Sequence, residues 1–375
     1  MNNKLSIITL TCLLVISIFS PTYASETVRI AIIQDTSSLS LKIKGFFQIR
    51  DLEKHKIIYH AKSIETTVTT YKSGIVIGGI KPASDKLLIE SDDPEAFLIN
   101  GKSFRGNIQL IKKSNNKLLV INCIELEDYI KGILYHESSH YWPMEALKAQ
   151  AIISRTYALY QMQENRRKDF DLTSDIYSQV YGGEASERFR TNKAVDETQG
   201  KALFFKGKII PAYFHATCGG HTEDAALLWN IDLAPLKGVV CPYCKESPHF
   251  NWHYDFGLKD IEKKLSAKGF KLKNITNLGI EGKDASGRIT NLIINSEQGE
   301  TKVSAKDFRE TIGPNLIRST NFSVAIEGKD AVFEGIGWGH GVGLCQWGAY
   351  FMAKDGKSAE EILKYYYPGT NVKTF

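Results

Sequence analysis

Two stretches of the sequence decide the fold: ELEDYIKGILYHE at residues 125–137 and PMEALKAQAIISRTYALYQMQ at residues 143–163. In both stretches apolar residues recur at the three- to four-residue spacing of one helix face. Pro143 is favourable in the first turn of a helix, because its missing N–H has no partner there, and it disfavours helical geometry in the residue before it. The sequence therefore predicts two consecutive helices with a break between residues 136 and 142.

Strand-like sequence precedes and follows this helical pair. From Thr27 to about Leu119, β-branched runs such as VRIAII, GIVIGGI and LLVINCI alternate with turn residues. A mixed stretch from about Lys259 to Val332 contains further strand patterns, among them RITNLIINS. We therefore predict the α+β class, with a β-rich N-terminal region at 25–117 and a mixed α/β domain at 118–375 that carries a β-rich insertion at about 250–332.

The composition indicates a folded protein, and the first residues indicate an exported one. The chain has 375 residues, of which 43% are hydrophobic and 24% charged, which excludes a disordered, collagen-like or small disulfide-stapled protein. Its net charge of +5, without a strongly basic stripe, gives no support for nucleic-acid binding. Residues 1–24 join Lys4 to an apolar run and end in Thr22-Tyr23-Ala24, as a signal peptide cleaved near Ala24 does. We expect export to the periplasm or cell envelope, with an uncleaved anchor helix as the alternative.

The end of the first predicted helix holds a candidate catalytic acid. Residues 136–140 read His-Glu-Ser-Ser-His, which matches the H-E-x-x-H pattern of zinc metalloproteases. Pro143 places the two histidines where one helix ends, so the pattern lacks its required helix and a metalloprotease is disfavoured. Glu137 remains, either as a solvated helix-end residue or as a general acid whose pKa is raised by apolar surroundings. The aromatic residues nearest to it in sequence are Tyr135, Tyr141 and Trp142.

Two further patterns are candidates for ligand binding. Lys148 and Arg155 are seven residues apart on the second helix and so share a face. They would hold a carboxylate-bearing or polyhydroxylated substrate, or else they are surface charge. The glycine-rich run at 335–343 does not have a phosphate-binding spacing, so no nucleotide is expected. His340 and Gln346, in and after this run, either line a cleft or serve in packing.

The cysteines suggest a metal site. Two pairs of potential ligands, each with two residues between its members, are separated by about twenty residues, and Cys₃His is a known structural zinc set. The predicted ligands are Cys218, His221, Cys241 and Cys244, with His249 as an alternative to His221 and His215 as a weaker candidate. A disulfide remains a rival, as does a redox pair at Cys241–Cys244, although Pro248 disfavours the helix that such a pair needs. Cys123 and Cys345 stand apart in sequence, and we expect both to be small apolar packing residues.

Three blocks of the sequence resemble a known family. They are LEDYIKGILYHESSHYWPMEALKAQAIISRTYAL at 126–159, HATCGGHTEDAALLWN at 215–230 and GWGHGVGLCQWGAYFMAKDGKSAEEILKYYYPGT at 337–370. These blocks are similar to the signatures of the stage II sporulation protein D and amidase enhancer (LytB) family. The resemblance covers most of the chain from about Leu118 to Asn371, with an interruption near residues 250–330.

The resemblance implies a peptidoglycan-binding domain with a deep cleft and, in the best-understood members, a lytic transglycosylase acting on glycan strands stripped of peptides. It implies that Glu137 is the catalytic glutamate and that Lys148 and Arg155 bind substrate. Tyr367 lies in the closing motif, and we expect it to bind substrate as well. A non-catalytic module that stimulates a cell-wall amidase is the alternative that the family name suggests. Some members have a zinc site near the second block, with a different ligand arrangement.

Overall fold

The computed structural model describes residues 26–93, 95–175 and 178–375, so the predicted signal peptide lies outside the described residues. Helices and strands are both abundant, which confirms the α+β class. In the described residues, no helix combines the length and the apolar character needed to cross a membrane.

Strands dominate the N-terminal part of the chain, and they form two sheets. The strands are β1 Thr27–Thr36, β2 Ser38–Ile43, β3 Phe47–Asp51, β4 Lys56–Ala61, β5 Ile64–Tyr71, β6 Gly74–Ile77, β7 Lys86–Ser91, β8 Phe97–Ile99, β9 Lys102–Phe104, β10 Asn107–Lys112, β11 Leu118–Glu125 and, later in the chain, β12 Leu172–Thr173. One sheet has the order β12-β1-β11-β10-β7-β3-β4, and the other has the order β6-β5-β2-β8-β9. Buried residues alternate along strands such as β3, so each sheet presents one apolar face to a shared core.

The predicted helical pair is present. Helix α1 spans Leu126–Glu137 and follows β11 directly, and helix α2 spans Met144–Glu164 with Pro143 as its N-cap. Helix α1 packs against the core of the sheets through buried residues that include Tyr129, Ile130 and Ile133. Helix α2 is buried on several sides. It contacts α1 and four elements from later in the chain, which are α3 Phe189–Asp196, β13 Lys201–Phe205, α7 Gln346–Lys354 and α8 Ala359–Tyr366. It is the central helix of the molecule.

The remaining elements around α2 come from two separate parts of the chain. They are α3 Phe189–Asp196, β13 Lys201–Phe205, β14 Lys208–Ile209, β15 Phe214–His215, α4 Ala225–Trp229, β22 Leu344–Cys345, α7 Gln346–Lys354, α8 Ala359–Tyr366 and β23 Asn371–Thr374. Strands β15 and β22 pair in parallel, with His215 opposite Cys345. This pairing joins the two parts, although about 130 residues separate them in sequence.

An insertion with its own core separates β15 from β22. It contains β16 Asn251–Gly257, α5 Leu258–Ala267, β17 Asn277–Lys283, β18 Ile289–Ser296, β19 Gly299–Ser304, α6 Ala305–Ile312, β20 Phe322–Glu327 and β21 Asp330–Ile336. The strands form the sheets β16-β21-β20 and β17-β18-β19. Phe308 and Phe333 lie in the apolar core that these sheets share with the two helices.

Candidate functional site

A cleft of about 430 Å³ lies at the end of α1. Its walls come from α2, from the segment that follows β12, from β15 and from the glycine-rich run before β22. The residues that line it are Glu137, Tyr157, Ser178, Val180, Tyr213, Phe214, His215, Ala216, Trp229, Trp338, Gly339, His340 and Gln346. Three separate parts of the sequence therefore converge on one concave surface, as ligand sites commonly do.

Glu137 is the last residue of α1, and its carboxyl group is held in a largely apolar environment. The backbone N–H of Val180 donates one hydrogen bond to Oε1 at 3.3 Å. Burial raises the pKa of Glu137 to about 7, because the charged form loses its hydration. The carboxyl end of a helix also disfavours a negative charge. Glu137 therefore keeps a proton over much of the neutral range, as a general acid requires.

The structure agrees with a raised pKa, but the side chains expected to cause it do not surround the carboxyl group. Tyr141 is 80% exposed, and Tyr135 packs on Arg188, whose guanidinium carbon lies 4.4 Å from the ring centroid. Trp142 packs against Trp347 instead. The aromatic residues that line the cleft with Glu137 come from later in the chain and are Tyr157, Tyr213, Phe214, Trp229 and Trp338.

His340 and Gln346 both line the cleft. The Nδ1 atom of His340 accepts a hydrogen bond from the N–H of Val342 at 3.1 Å. Burial lowers the pKa of His340 to about 3, so its ring is neutral. The side-chain N–H of Gln346 donates to the backbone carbonyl of Glu137 at 2.9 Å, which fixes the end of α1 against the start of α7.

Four cysteines converge behind the cleft. Cys218, Cys241, Cys244 and Cys345 are all buried, and their Sγ atoms lie within 4.8 Å of one another. The sulfurs of Cys218 and Cys244 are 3.4 Å apart, which is far longer than a disulfide bond of about 2.05 Å. It is close to the roughly 3.8 Å expected between two sulfurs bound tetrahedrally to one zinc ion at about 2.3 Å. The group is a possible metal site.

The chemistry of the four thiols also suits a cation. The backbone N–H groups of Cys218 and Gly348 each donate to the Sγ of Cys345 at 3.3 Å, as donors to a metal-bound thiolate do. Hydrogen bonds from neighbouring thiols lower the pKa of Cys244, whereas burial raises the pKa of Cys345. Four sulfurs this close can all lose their protons only if a bound cation offsets the charge.

The fourth member of the group corrects two sequence predictions. The group contains no histidine among the described residues. The Nδ1 atom of His221 bonds to the carbonyl of Thr222 at 2.6 Å, and the ring of His249 packs against Trp338 with centroids 4.8 Å apart. Cys345 takes the fourth position and is not a simple packing residue. The parallel pairing of β15 with β22 brings it to Cys218.

The H-E-x-x-H pattern forms no metal site in the part of the chain that the structure describes. His136 lies in the last turn of α1, where its Nε2 atom is 2.6 Å from the hydroxyl of Ser186. His140 lies beyond the end of the helix. The two histidines therefore do not share a helix face.

A larger groove of about 680 Å³ lies on the insertion, beside β16, β20 and β21. The titratable groups that line it are exposed, and two of them, His253 and Glu334, are 4.0 Å apart at the surface. The groove lacks a buried acid or base of the kind that Glu137 provides. We therefore place the candidate site in the cleft.

Comparisons with known proteins show the family of the chain. Residues 114–205 match the family described as stage II sporulation protein, and this segment contains Glu137 and the whole of α1 and α2. The stage II sporulation protein D of Bacillus subtilis is 34% identical over 265 residues, which cover 66% of this chain and 74% of that protein. The chain belongs to the stage II sporulation protein D family.

Two further relatives and one further match extend this result. An uncharacterized protein of Brachyspira hyodysenteriae is 34% identical over 347 residues, covering 92% of each chain. The amidase enhancer of Bacillus subtilis is 27% identical over 295 residues, covering 66% of this chain and 40% of that protein. Residues 243–343, which contain the insertion, match a domain of unknown function, DUF8618.

Three residues predicted to bind substrate in this member of the stage II sporulation protein D family lie outside the cleft. Arg155 is fully buried and forms a two-point ion pair with Glu127 at 2.8 and 2.6 Å. Lys148 pairs with Glu145 and with Glu197. Tyr367 is fully buried, and its hydroxyl donates to the carbonyl of Tyr213. All three residues make contacts within the fold, and none of them lines the cleft.

Sequence reasoning also misses residues of the cleft in this family member. It offers His215 only as a weak metal ligand, and it does not single out Tyr213 or Trp229. The signal in the sequence is weak, because these residues lie in or beside a two-residue strand and a five-residue helix that have no periodicity of their own. Their nearness to Glu137 arises only in the folded chain.

Proposed function

We propose that the protein is an exported lytic transglycosylase that cleaves the bond between MurNAc and GlcNAc in peptide-stripped glycan strands of peptidoglycan. The observation that carries the proposal is Glu137, whose pKa is raised to about 7. Among the described residues that line the cleft, it has the only carboxyl group. Glycoside hydrolysis generally uses two carboxyl groups, whereas an intramolecular attack requires only one.

The proposed reaction uses Glu137 first as an acid and then as a base. Its carboxyl proton passes to the glycosidic oxygen as the bond from C1 of MurNAc to that oxygen breaks. The C6 hydroxyl of the same MurNAc attacks C1, forms the C1–O6 bond and returns its proton to the Glu137 carboxylate. The products are a 1,6-anhydro-MurNAc end and a GlcNAc with a free 4-hydroxyl, and no water is consumed.

Several features support this assignment. Membership of the stage II sporulation protein D family is consistent with action on the cell wall. The aromatic lining of the cleft suits the apolar faces of sugar rings. The signal-peptide pattern of residues 1–24 supports delivery to the periplasm or cell envelope, where the substrate lies.

The test is a digest of peptide-stripped glycan with purified protein, followed by mass spectrometry of the products. Wild type should give anhydro-MurNAc ends, and the Glu137→Gln variant should give none. Glu164→Gln, which changes an exposed glutamate at the end of α2, is the matched control and should behave as wild type. Products with reducing ends only, or full activity in Glu137→Gln, would refute the proposal.

A second candidate is a non-catalytic glycan-binding module that stimulates a cell-wall amidase. The 27% identity to the amidase enhancer of Bacillus subtilis favours it. This function predicts glycan binding by both wild type and Glu137→Gln without cleavage by either. It also predicts that the two proteins increase the rate of an added N-acetylmuramoyl-L-alanine amidase equally.

We also propose that Cys218, Cys241, Cys244 and Cys345 hold a structural zinc ion. Such an ion would fix the loop after β15 to the start of α7 and supply no open coordination position for chemistry. Metal analysis of protein purified without added metal should give one zinc per chain. Metal-free protein with two disulfides among these four residues would refute the proposal.

A further inference from the structure

His215 lines the cleft and carries a hydrogen-bonding atom that the protein leaves unused. Its side chain is only 4% exposed, and its Nε2 atom is one of six buried side-chain atoms in the described residues that lack a hydrogen-bond partner. Of those six atoms, this is the one that belongs to a residue lining the cleft. Buried polar atoms are normally paired, so a buried unpaired atom at a ligand site needs an explanation.

The hydrogen bonds around His215 determine what its Nε2 atom can do. The Nδ1 atom lies 3.1 Å from the backbone carbonyl of Val342. A carbonyl only accepts, so Nδ1 carries the proton and donates. In the neutral ring the other nitrogen then bears a lone pair and no hydrogen. His215 therefore offers an acceptor, and not a donor, to a molecule in the cleft.

The neighbouring histidine cannot take this role. His340 accepts the N–H of Val342 at its Nδ1 atom, and its ring also bonds to the backbone of Phe214. Both of its nitrogens are occupied within the protein. The rings of the two histidines lie 5.6 Å apart in an edge arrangement. His340 thus packs against His215, and Val342 orients both rings.

We propose that Nε2 of His215 accepts a hydrogen bond from a hydroxyl or acetamido N–H group of the bound sugar. The inference rests on the proposed function, because it takes the occupant of the cleft to be a glycan strand. It replaces His340 with His215 as the histidine that contacts the substrate. His215 is a positioning residue, because it transfers no proton in the reaction.

The proposed contact would also confer selectivity. A ligand that places a donor against Nε2 satisfies an atom that is otherwise buried and unpaired. A ligand with an apolar group or an acceptor at the same place leaves that atom unpaired, and sites of this kind reject such ligands strongly. Sugars carry many donors, so this site favours them over apolar ligands of similar size.

Two substitutions test the contributions of the two nitrogens of His215 separately. In His215→Asn, the amide N–H can still donate to Val342, but no atom reaches the position of Nε2. In His215→Gln, the amide oxygen can reach the position of Nε2, and the support of Val342 is weakened. Both changes are made in the Glu137→Gln background, which serves as the parent, so that binding of peptide-stripped glycan can be measured by calorimetry without cleavage.

We expect His215→Asn to weaken binding by roughly 3- to 10-fold, the value of one lost neutral hydrogen bond, with an unchanged melting temperature. His215→Gln should recover most of the affinity. In ¹⁵N spectra of the imidazole ring, the Nε2 resonance of His215 should shift on glycan addition far more than the Nδ1 resonance. A purely structural role would not cause that shift.

Chemically N-methylated glycan, in which each acetamido nitrogen has lost its hydrogen, distinguishes the two possible donors. If the parent binds this glycan more weakly than the unmodified form, and His215→Asn binds the two forms equally, the donor is the acetamido N–H. If the parent binds both forms equally, the donor is a hydroxyl. Either result supports the contact, because each requires His215→Asn to bind the unmodified glycan more weakly than the parent does.

Two outcomes would overturn the inference, and they are distinguishable. Equal affinity of His215→Asn and its parent, with no shift of the Nε2 resonance, refutes the role of His215 and leaves the proposed function intact. Absence of glycan binding by the parent protein refutes both.

Discussion

Glu127 and Glu137 lie at the two ends of helix α1, one in its first turn and the other at its last residue. The Glu127 carboxylate receives two hydrogen bonds from Arg155 and a third from the N–H of Gly200. Among the residues that the structure describes, the Glu137 carboxyl group receives one, from the N–H of Val180 at 3.3 Å. The helix dipole favours the charge of Glu127 and opposes that of Glu137.

This difference separates a structural acid from the acid that we propose to be catalytic. Glu127 forms an ion pair with the buried guanidinium of Arg155, and this pair contributes to the stability of the fold. Glu137 is left with little support for its charge and opens into a cleft, so the fold keeps its proton available. Burial of an acid therefore does not identify a catalytic group unless its hydrogen-bond partners are also counted.

The strongest test of the contrast replaces each glutamate with glutamine. Glu137→Gln should lower the rate of glycan cleavage by about 10²- to 10⁴-fold, the usual contribution of general acid catalysis, without lowering the melting temperature. Rates from the glycan digest and melting curves of the same samples measure both effects. A large loss of stability in Glu137→Gln would show that the two acids do not differ in role.

Glu127→Gln should have the opposite profile. It leaves the guanidinium of Arg155 buried without a counter-charge, which costs about 3–5 kcal/mol in the free energy of unfolding. Chemical denaturation measures this loss, and the folded protein should still bind glycan. The double variant Glu127→Leu with Arg155→Met is the control and should recover part of the stability, because no unpaired charge remains. Normal stability with lost glycan binding would instead support a substrate role for Arg155.

The sequence predicts the helices α1 and α2 well, but it predicts contacts between residues that are distant in sequence poorly. The two helices, the break before Pro143 and the position of Glu137 follow from spacing within about forty residues. The face shared by Lys148 and Arg155 also follows from spacing, but helix periodicity does not reveal what covers that face. Here the first turn of α1 and the segment around β13 cover Arg155.

The cysteine group also shows that sequence spacing does not reveal contacts between distant residues. The spacing of Cys218, Cys241 and Cys244 identifies them as ligands, whereas Cys345 is 127 residues from Cys218. The pairing of β15 with β22 that joins them involves two residues from each strand. Strands this short leave no pattern in the sequence, so sequence alone favours the histidines nearest to the motif.

A smaller effect is expected from the proposed metal site, which includes the N-cap residue of α7. Cys345→Ser should reduce bound zinc to well below one per chain and lower the melting temperature, because one of the four proposed ligands is lost while the serine hydroxyl can still cap α7. Elemental analysis and melting curves measure the two changes. Cys123→Ser, on β11 and outside the group, should change neither. Full zinc content in Cys345→Ser would indicate that the fourth ligand is a histidine and not Cys345.

The smallest expected effect that distinguishes Glu137 from Glu127 is a change of stability with pH. The pKa of Glu137 is raised from 4.5 to about 7, so the native state holds a proton there that the unfolded state releases. Stability must therefore fall as the pH rises between these two values, and by order of magnitude this costs about 3 kcal/mol at pH 8. Glu137→Gln cannot titrate and escapes this loss. Its free energy of unfolding relative to wild type should thus be higher at pH 8 than at pH 4, as measured by urea denaturation.

The rate of glycan cleavage should depend on the protonation of the same carboxyl group. Because the acid form of Glu137 acts first, the rate should fall by about tenfold for each pH unit well above 7. Glu164→Gln, the exposed control, should follow wild type in both stability and rate. If wild type and Glu137→Gln instead keep a constant difference in stability from pH 4 to pH 8, Glu137 is an ordinary ionised carboxylate. The two ends of α1 would then differ only in their neighbours and not in their chemistry.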